Sequence, residues 1–300
     1  MFCSRCMAPL LREPHGDTIY QGEIVAEGIA MITRQMLRVF PRRTSLTPVD
    51  EYAFVGDPPM IRPEAAEVHV SCTFTWDIPV ARRLAAAWGQ YYPLVKIGGP
   101  AMGSPADGFV PGMYVKEGVT FTSRGCDKRC PWCLVPSREG RLRLLPIQPG
   151  WIVNDNNLLQ CPRAHQAEVY AMLREQGKRV KFSGGLDATL VDDWVASELS
   201  SVPIAEVFLA ADTMRSLKPL ERAVSYLSFL RRDQLRCYVL VGFNGESLEA
   251  ATLRLERVWE IGTLPFAQLF QPPDHFIQYS QNWRDLARVW SRPAATKAIH

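Results

Sequence analysis

The chain has 300 residues, 47% of them hydrophobic and 22% charged, which is the balance of a folded globular protein and excludes an intrinsically disordered one. Its 34 basic and 31 acidic residues leave a formal net charge of +3, too small a surplus to indicate a nucleic-acid-binding protein. No run of the sequence approaches the roughly 18 apolar residues needed to cross a bilayer, so no membrane association is expected.

Residues 1–35 show no clear pattern of helix or strand, and we expect an N-terminal extension that need not be ordered. They contain Cys3 and Cys6, a CxxC pair of the kind that forms half of a zinc ribbon. One pair alone does not predict a metal site. The extension also lacks the apolar core and cleavage site of a secretory signal, which favours a reducing cytoplasm in which cysteines are free thiols or metal ligands.

A small α/β unit is predicted for residues 36–115. A strand-like run begins at Met36, a β-rich segment covers 67–76, helical spacing covers 79–92, and an apolar run over 93–103 ends in glycines. This alternation of strand, helix and strand predicts a Rossmann-like unit. The glycines could let a backbone approach a ligand, although turn geometry after a strand explains them more simply.

The most informative segment is the loop SRGCDKRCPWC, in which Cys126, Cys130 and Cys133 have the spacing CxxxCxxC. Three thiolates are one ligand short of a closed tetrahedral metal site, whereas an iron-sulfur cluster held by three thiolates keeps one iron open. The spacing, the aromatic Trp132 before the third cysteine and the preceding Ser-Arg-Gly-Cys resemble the radical S-adenosylmethionine (radical SAM) superfamily.

This resemblance implies a 4Fe-4S cluster on the three thiolates, with the fourth iron chelating S-adenosyl-L-methionine and Trp132 shielding the cluster from water. It also implies an external one-electron donor such as a flavodoxin or ferredoxin. In the superfamily, reductive cleavage of S-adenosylmethionine gives a 5'-deoxyadenosyl radical that abstracts hydrogen from a substrate. The substrate and the reaction subtype are not indicated by the sequence, because the superfamily hosts many reactions on one scaffold.

A structural zinc site is the alternative for the same cysteines, with Cys161 or His165 as a fourth ligand. The chain would then be a metal-binding regulatory or nucleic-acid-binding protein, with a structural zinc or a sensing cluster and no turnover. Zinc knuckles pair two-residue spacings rather than a three and a two, which favours the enzyme.

The position of the small α/β unit before the cysteine loop resembles the degenerate cobalamin-binding domain of one branch of the superfamily, where a Gly-Gly-Pro string closes an early strand. Cobalamin domains of that branch often carry an Asp-x-His-x-x-Gly string, which this chain lacks. Cobalamin is therefore a doubtful cofactor, with only the histidine-free binding modes left open. His69 is expected to be a packed or edge residue of a strand rather than a ligand.

Residues 116–272 alternate between strand-like and helix-like segments and are predicted to form the radical SAM core. Such βα units imply a parallel sheet with right-handed crossovers, so the predicted fold class is α/β with a partial (β/α)6 TIM-like barrel. The six predicted strands cover 118–123, 150–159, 178–187, 205–212, 235–243 and 265–272.

Polar residues and glycines follow the predicted strands, where parallel α/β folds bind ligands. The superfamily often has a Gly-Gly-Glu string after the second strand, which presents backbone groups to the amino group of S-adenosylmethionine; here Asp-Asn-Asn takes its place. Asp212 is placed to accept from ribose hydroxyls or, alternatively, to cap the next helix. The predicted cofactor contacts are Trp132, Asp155, Asn156, Asn157, Gly184, Gly185 and Asp212.

The last segment, 273–300, is predicted to be a helical tail. Trp283, Leu286, Ala287 and Trp290 share one helical face, which favours packing on the core over stacking on single-stranded nucleic acid. Nucleic acid is thus not indicated as a partner.

Three cysteines outside the loop have simpler predicted roles. Cys72 and Cys237 lie in apolar strands and should be small buried residues. Cys161 follows the second strand of the core; it is either a buried residue or a redox or hydrogen-atom donor at the active site, and the former is the simpler interpretation.

Overall fold

The computed structural model describes residues 36–103 and 109–300, so Cys3, Cys6 and the remainder of the predicted extension lie outside the described residues. Two parallel sheets organise the described chain, one of four strands and one of six. The α/β fold class is confirmed.

The first sheet contains β1 (Met36–Phe40), β2 (Ala53–Val55), β3 (Glu67–Ser71) and β4 (Val95–Gly98), with helix α1 (Ile78–Trp88) between the last two. Its strand order is β2-β1-β3-β4 and every pairing is parallel. The order reverses between β1 and β3, and at such a switch point the carboxyl ends of the strands leave a crevice that binds ligands in open α/β sheets. The sequence did not predict β2, which has only three residues.

Alternation of side chains along β1 and β3 explains the packing of this unit. Leu37 and Val68 point to the same face as their neighbours two residues on and pack against Leu84 and Trp88 of α1. The indole N–H of Trp88 donates to the carbonyl oxygen of Gly56 at 3.1 Å, so this large buried ring leaves no polar atom unpaired.

Eight further strands follow in the chain. They are β5 (Val119–Thr120), β6 (Ser123–Arg124), β7 (Arg143–Leu144), β8 (Ile152–Val153), β9 (Val180–Phe182), β10 (Ile204–Ala210), β11 (Leu235–Val241) and β12 (Leu264–Leu269). Six of them form the second sheet in the order β12-β11-β10-β9-β8-β5, with parallel pairing throughout. Chain order and spatial order therefore agree, and β5 and β12 form the two edges.

The helices alternate with these strands as the sequence predicts. They are α2 (Val135–Glu139), α3 (Arg163–Glu175), α4 (Asp193–Ser200), α5 (Leu217–Tyr226), α6 (Leu248–Glu260), α7 (Gln281–Ser291) and α8 (Pro293–Ala298). Gly177 follows α3 with a φ of +58°, a conformation that suits a helix stop. None of the described helices combines the length and the apolar character that a membrane span requires.

The predicted first strand of the core, residues 118–123, is wrong as one continuous element. Only Val119 and Thr120 pair with β8, and β6 pairs antiparallel with β7 instead. The side chain of Asp155 accepts from the backbone N–H of Thr122 at 2.7 Å. Because that N–H would otherwise continue the parallel ladder, the chain leaves the sheet at this residue.

The helical tail packs on the core, as predicted. Trp290 of α7 is buried, and Trp283, Leu286 and Ala287 pack against the cluster formed by the second sheet and its helices. Cys72 and Cys237 are both fully buried, which confirms their predicted role as small core residues.

Candidate functional site

The carboxyl ends of the two sheets open on one shared cavity of about 1010 Å³. This exceeds the volume of most single-ligand pockets and leaves room for a cofactor beside a substrate. The first sheet contributes its strand ends at Phe40, Ser71 and Gly98, and the second sheet contributes Asn154, Ser183, Ala210, Leu240 and Gln268.

The cysteine loop begins at the rim of this cavity, directly after β6. Gly125 has a φ of +79°, and a Cβ there would lie 2.1 Å from the carbonyl oxygen of Arg141. Only glycine allows the chain to pass so close to that carbonyl in this conformation. The tight passage sets the direction in which the loop leaves the strand.

Asp155 is the first of several side chains that fasten the loop. Its buried carboxylate accepts from Thr122 N at 2.7 Å, Thr122 Oγ1 at 2.6 Å and Ser123 Oγ at 2.8 Å. Burial raises the pKa of Asp155, and these hydrogen bonds act in the opposite direction. The side chain thus ties the end of β8 to the segment that leads into the cysteines.

Three more side chains hold the loop further along. Asn156 Oδ1 accepts from Gly125 N at 3.0 Å. Gln160 Oε1 accepts from Asp127 N at 3.1 Å and from the thiol of Cys126 at 3.4 Å. The ammonium group of Lys128 pairs with the carboxylate of Asp187, which follows β9. The loop is therefore attached to two neighbouring strand ends.

The three loop thiols are half-buried and free. Burial raises the pKa of Cys130, and so does the nearby charge of Cys133; burial raises the pKa of Cys133, and so does the charge of Cys126. In this structure, no three His, Cys, Asp or Glu side chains of residues 36–103 and 109–300 are gathered around one position that could hold a metal ion.

This donor set fits an iron-sulfur cluster in its chemistry. Thiolates are the ligands that such clusters take, and a cationic iron would offset the burial and the mutual repulsion that raise the pKa of Cys130 and Cys133. The N–H of Cys133 donates to the carbonyl of Cys130 at 3.0 Å, a turn that keeps these two residues together. Cys133 and the neighbouring Trp132 line the cavity.

Trp132 links the cysteine loop to the far side of the second sheet. Its ring packs edge-on against Phe243, with 5.6 Å between ring centroids. It also hydrogen-bonds to Asp212, whose pKa is raised by burial and lowered less strongly by this bond and by the N–H of Leu240. That N–H lies 2.9 Å from Asp212 Oδ1, so the carboxylate bridges to β11 and is not a helix cap.

Five of the seven predicted cofactor contacts line the cavity: Trp132, Asp155, Asn156, Gly184 and Asp212. The other two do not. Asn157 is buried and donates to Asp187 at 3.4 Å, and Gly185 takes a φ of +91° beside the ring of Tyr238. At Gly184 a Cβ would lie 1.9 Å from the carbonyl oxygen of Asp155, so the ends of β8 and β9 approach as closely as backbone allows.

The candidate fourth zinc ligands have other partners. His165 is buried, and its Nε2 lies 2.9 Å from the carbonyl oxygen of Thr122. Cys161 belongs to the hydrophobic core, where burial raises its pKa to about 11. Neither residue lines the cavity, so the interpretation of Cys161 as a buried residue is the one that agrees with the structure.

The part of the cavity wall that the first sheet and the segment after it contribute was not predicted from the sequence. It includes His69 of β3 and Tyr114. The sequence held a signal for the histidine, because Glu67, His69 and Ser71 alternate with two buried valines and so share the polar face of β3. Tyr114 lies in an irregular segment that gives no such pattern.

Comparisons with known proteins do not assign this chain to a family. A scan against protein-family models found no match, and a search of curated proteins found none either. Functional inference therefore depends on the cysteine loop, the cavity and the side chains that surround them.

Proposed function

We propose that this chain is a radical SAM enzyme in which Cys126, Cys130 and Cys133 hold a 4Fe-4S cluster. The observation that carries the proposal is the position of the CxxxCxxC loop, which lies at the carboxyl edge of a six-stranded parallel sheet and beside a cavity of about 1010 Å³. We further propose that this sheet is the core of a partial (β/α)6 barrel, since its strands follow one another in chain order.

When bound, the cluster would supply one electron to S-adenosylmethionine, whose sulfonium bond would break to give a 5'-deoxyadenosyl radical that abstracts hydrogen from the substrate. The chain contributes position and shielding. Asp155, Asn156 and Gln160 would keep the loop at the rim of the cavity. Trp132 would cover the cluster on the side of Phe243 and limit its contact with water.

Two features of the cavity suit S-adenosylmethionine. Gly184 lines the cavity without a side chain, so a ligand can approach the backbone at the end of β9 closely. Asp212 would accept from the ribose hydroxyls beside its bonds to Leu240 N–H and Trp132, since the two oxygens of a carboxylate accept about four hydrogen bonds. The electron would come from an external donor such as a flavodoxin or ferredoxin, in a reducing cytoplasm.

The test is anaerobic reconstitution with iron and sulfide, reduction with dithionite in the presence of S-adenosylmethionine, and quantification of 5'-deoxyadenosine. Cys130→Ala is the inactivating variant. Cys237→Ala is the matched control, because it removes a thiol that is buried in the core and does not line the cavity.

We expect 5'-deoxyadenosine from the wild type and from Cys237→Ala, and none above background from Cys130→Ala. Equal yields from Cys130→Ala and the wild type would contradict the proposal. Stoichiometric zinc with no iron after reconstitution would also contradict it and favour the structural zinc site.

A further inference from the structure

Tyr114, His69 and Glu67 form a chain of contacts on the first-sheet side of the cavity. The hydroxyl of Tyr114 lies 2.5 Å from His69 Nδ1, and His69 Nε2 lies 3.3 Å from Glu67 Oε2. Tyr114 and His69 both line the cavity, and Tyr114 is 38% exposed. A polar hydroxyl is thus presented to the cavity by an imidazole and a carboxylate behind it.

A buried arginine fixes the segment that carries the tyrosine. Arg38 of β1 is fully buried, and its Nη1 donates to the carbonyl oxygens of Gly112 at 3.1 Å and Met113 at 2.7 Å. Arg38 and His69 are also paired in register on adjacent strands. The tyrosine and the histidine are therefore held by the same two strands, which makes their contact a built feature of the sheet.

The charges around His69 determine its tautomer. The hydrogen bond from Lys96 and the proximity of His69 lower the pKa of Glu67, so this side chain is an acceptor at neutral pH. The carboxylate 3.3 Å from Nε2 favours the neutral tautomer that carries its proton on Nε2, and Nδ1 then accepts from the hydroxyl of Tyr114. Among the described residues, the other partner of this hydroxyl is Met36 Sδ at 3.8 Å, a weak acceptor. Burial and the charge of Glu67 raise the pKa of Tyr114, against the opposing charge of Arg38, so the phenol keeps its proton at rest.

We propose that Tyr114, His69 and Glu67 form a proton relay that takes a proton from an O–H, N–H or S–H group of a substrate held in the cavity. The substrate proton moves to Tyr114 Oη while the proton of Tyr114 moves to His69 Nδ1. The imidazolium that results is balanced by the carboxylate of Glu67, and no electron is transferred. A carboxylate, an imidazole and a hydroxyl in this order activate the hydroxyl in serine hydrolases by the same physical logic.

The relay deepens the proposed function and rests on it for the presence of a substrate in this cavity. It gives the first sheet a role in the chemistry, because the relay would select a substrate that has an ionisable proton. Activation of Tyr114 is a property of the three side chains alone, however, so it is measurable on the full chain as purified, without cluster or S-adenosylmethionine.

The probe is an arylsulfonyl fluoride, and site occupancy is followed by peptide mass spectrometry. In this reaction the phenolate oxygen of Tyr114 forms a bond to sulfur, fluoride leaves with the electron pair of the S–F bond, and the phenol proton goes to His69. Tyr91 is the internal control. It is 52% exposed, so exposure alone predicts that Tyr91 reacts faster than Tyr114.

We expect Tyr114 to react about tenfold or more faster than Tyr91 at pH 7.5, since a positioned general base contributes at least that much. His69→Gln should remove this advantage, because an amide cannot take the proton. Glu67→Gln keeps the size of the side chain and should reduce the rate by a smaller factor, which provides a second variant if His69→Gln does not fold.

The pH profile of the wild type gives a readout that simple exposure would not change. Tyr114 should already react well below pH 10 and with a shallow dependence on pH, whereas an unassisted phenol gains reactivity steeply toward its ordinary pKa of about 10. Glu67, Lys96 and Arg38 are the charged groups that face the pair. Labelling of Tyr114 no faster than Tyr91, or a rate unaffected by both variants, would overturn the relay, even if 5'-deoxyadenosine is formed.

Discussion

The carboxyl edges of the two sheets face the same cavity but use their polar side chains in different ways. At the edge of the six-stranded sheet, the side chains of Asp155 and Asn156 accept hydrogen bonds from the segment around the cysteine loop. At the edge of the four-stranded sheet, His69 and Tyr114 bind each other and leave the phenol accessible. Asp155 and Asn156 hold a loop, whereas the phenol of Tyr114 stays available to a ligand, so polarity at a strand end does not by itself identify a ligand contact.

The largest effect expected from this difference is at the backbone contact between β8 and β9. Gly184→Ala would place a methyl group 1.9 Å from the carbonyl oxygen of Asp155, so the strand ends must separate. We expect a loss of about 3 kcal/mol or more in the free energy of unfolding, measured with denaturant.

Gly103→Ala is the control for that variant, because Gly103 has the left-handed helical conformation (φ +74°, ψ 16°) and nothing lies within 4 Å of the new Cβ. The free energy of unfolding of this variant should fall by only about 1 to 2 kcal/mol. Equal losses for both variants would show that the edge of the six-stranded sheet is not tightly held at Gly184.

Asp155→Ala tests the fastening of the loop itself. The substitution leaves two hydroxyls and one backbone N–H without their buried acceptor, and we expect a loss of about 2 kcal/mol in the free energy of unfolding. Asp285→Ala, at an exposed site on α7, should lose less than about 0.5 kcal/mol. A loss for Asp155→Ala as small as that for Asp285→Ala would show that Asp155 does not fasten the loop more strongly than an exposed residue would.

Asp187→Asn tests the attachment of Lys128 and carries a pH dependence. Burial raises the pKa of Asp187, but hydrogen bonds from Lys128 and Thr189 outweigh this and hold the pKa below its usual range. A carboxylate with a depressed pKa stabilises the fold above the unfolded value of about 3.9, and this contribution disappears as the pH falls through the folded pKa.

The free energy of unfolding of the wild type should therefore exceed that of Asp187→Asn by about 1 kcal/mol at pH 7. This difference should disappear on acidification below about pH 4. Denaturant unfolding at a series of pH values measures it. Glu260→Gln, in an exposed pair with Arg257, serves as the control and should show almost no gap at pH 7. A gap for Asp187→Asn that widens toward acid pH would contradict the assignment.

The smallest effect is expected at the other edge. Tyr114→Phe removes the contacts of the hydroxyl with His69 and with Met36 Sδ from a side chain that is 38% exposed, and the loss in the free energy of unfolding should stay below about 1 kcal/mol. Thermal unfolding of the full chain suffices as the measurement. A loss as large as that of Asp155→Ala would mean that Tyr114 is a structural residue like those at the opposite edge.

The order of strands and helices in the core was predictable, because buried parallel strands are apolar runs and their helices carry 3.6-residue periodicity. The helix after β8 and its stop at Gly177 illustrate this. The break after Thr120 was not predictable, since it depends on Asp155, a residue 33 positions away from Thr122 whose side chain replaces a ladder partner.

The candidate site was predictable only in part for a similar reason. The CxxxCxxC loop and Trp132 are local in the sequence, and so were found. That Asp155 holds this loop, and that His69 meets Tyr114 across 45 residues, depends on long-range contacts which no short window of sequence contains. The role of a strand-end residue is therefore decided by its partner.

The most direct test of the central claim is whether the bound cluster has an iron open to S-adenosylmethionine. Electron paramagnetic resonance spectra of the reconstituted, dithionite-reduced chain should be recorded with and without S-adenosylmethionine, with Cys130→Ala alongside. A cluster signal that changes on addition of S-adenosylmethionine, and that is absent in Cys130→Ala, is the predicted result. A signal that S-adenosylmethionine leaves unchanged, or one that persists in Cys130→Ala, would contradict the account.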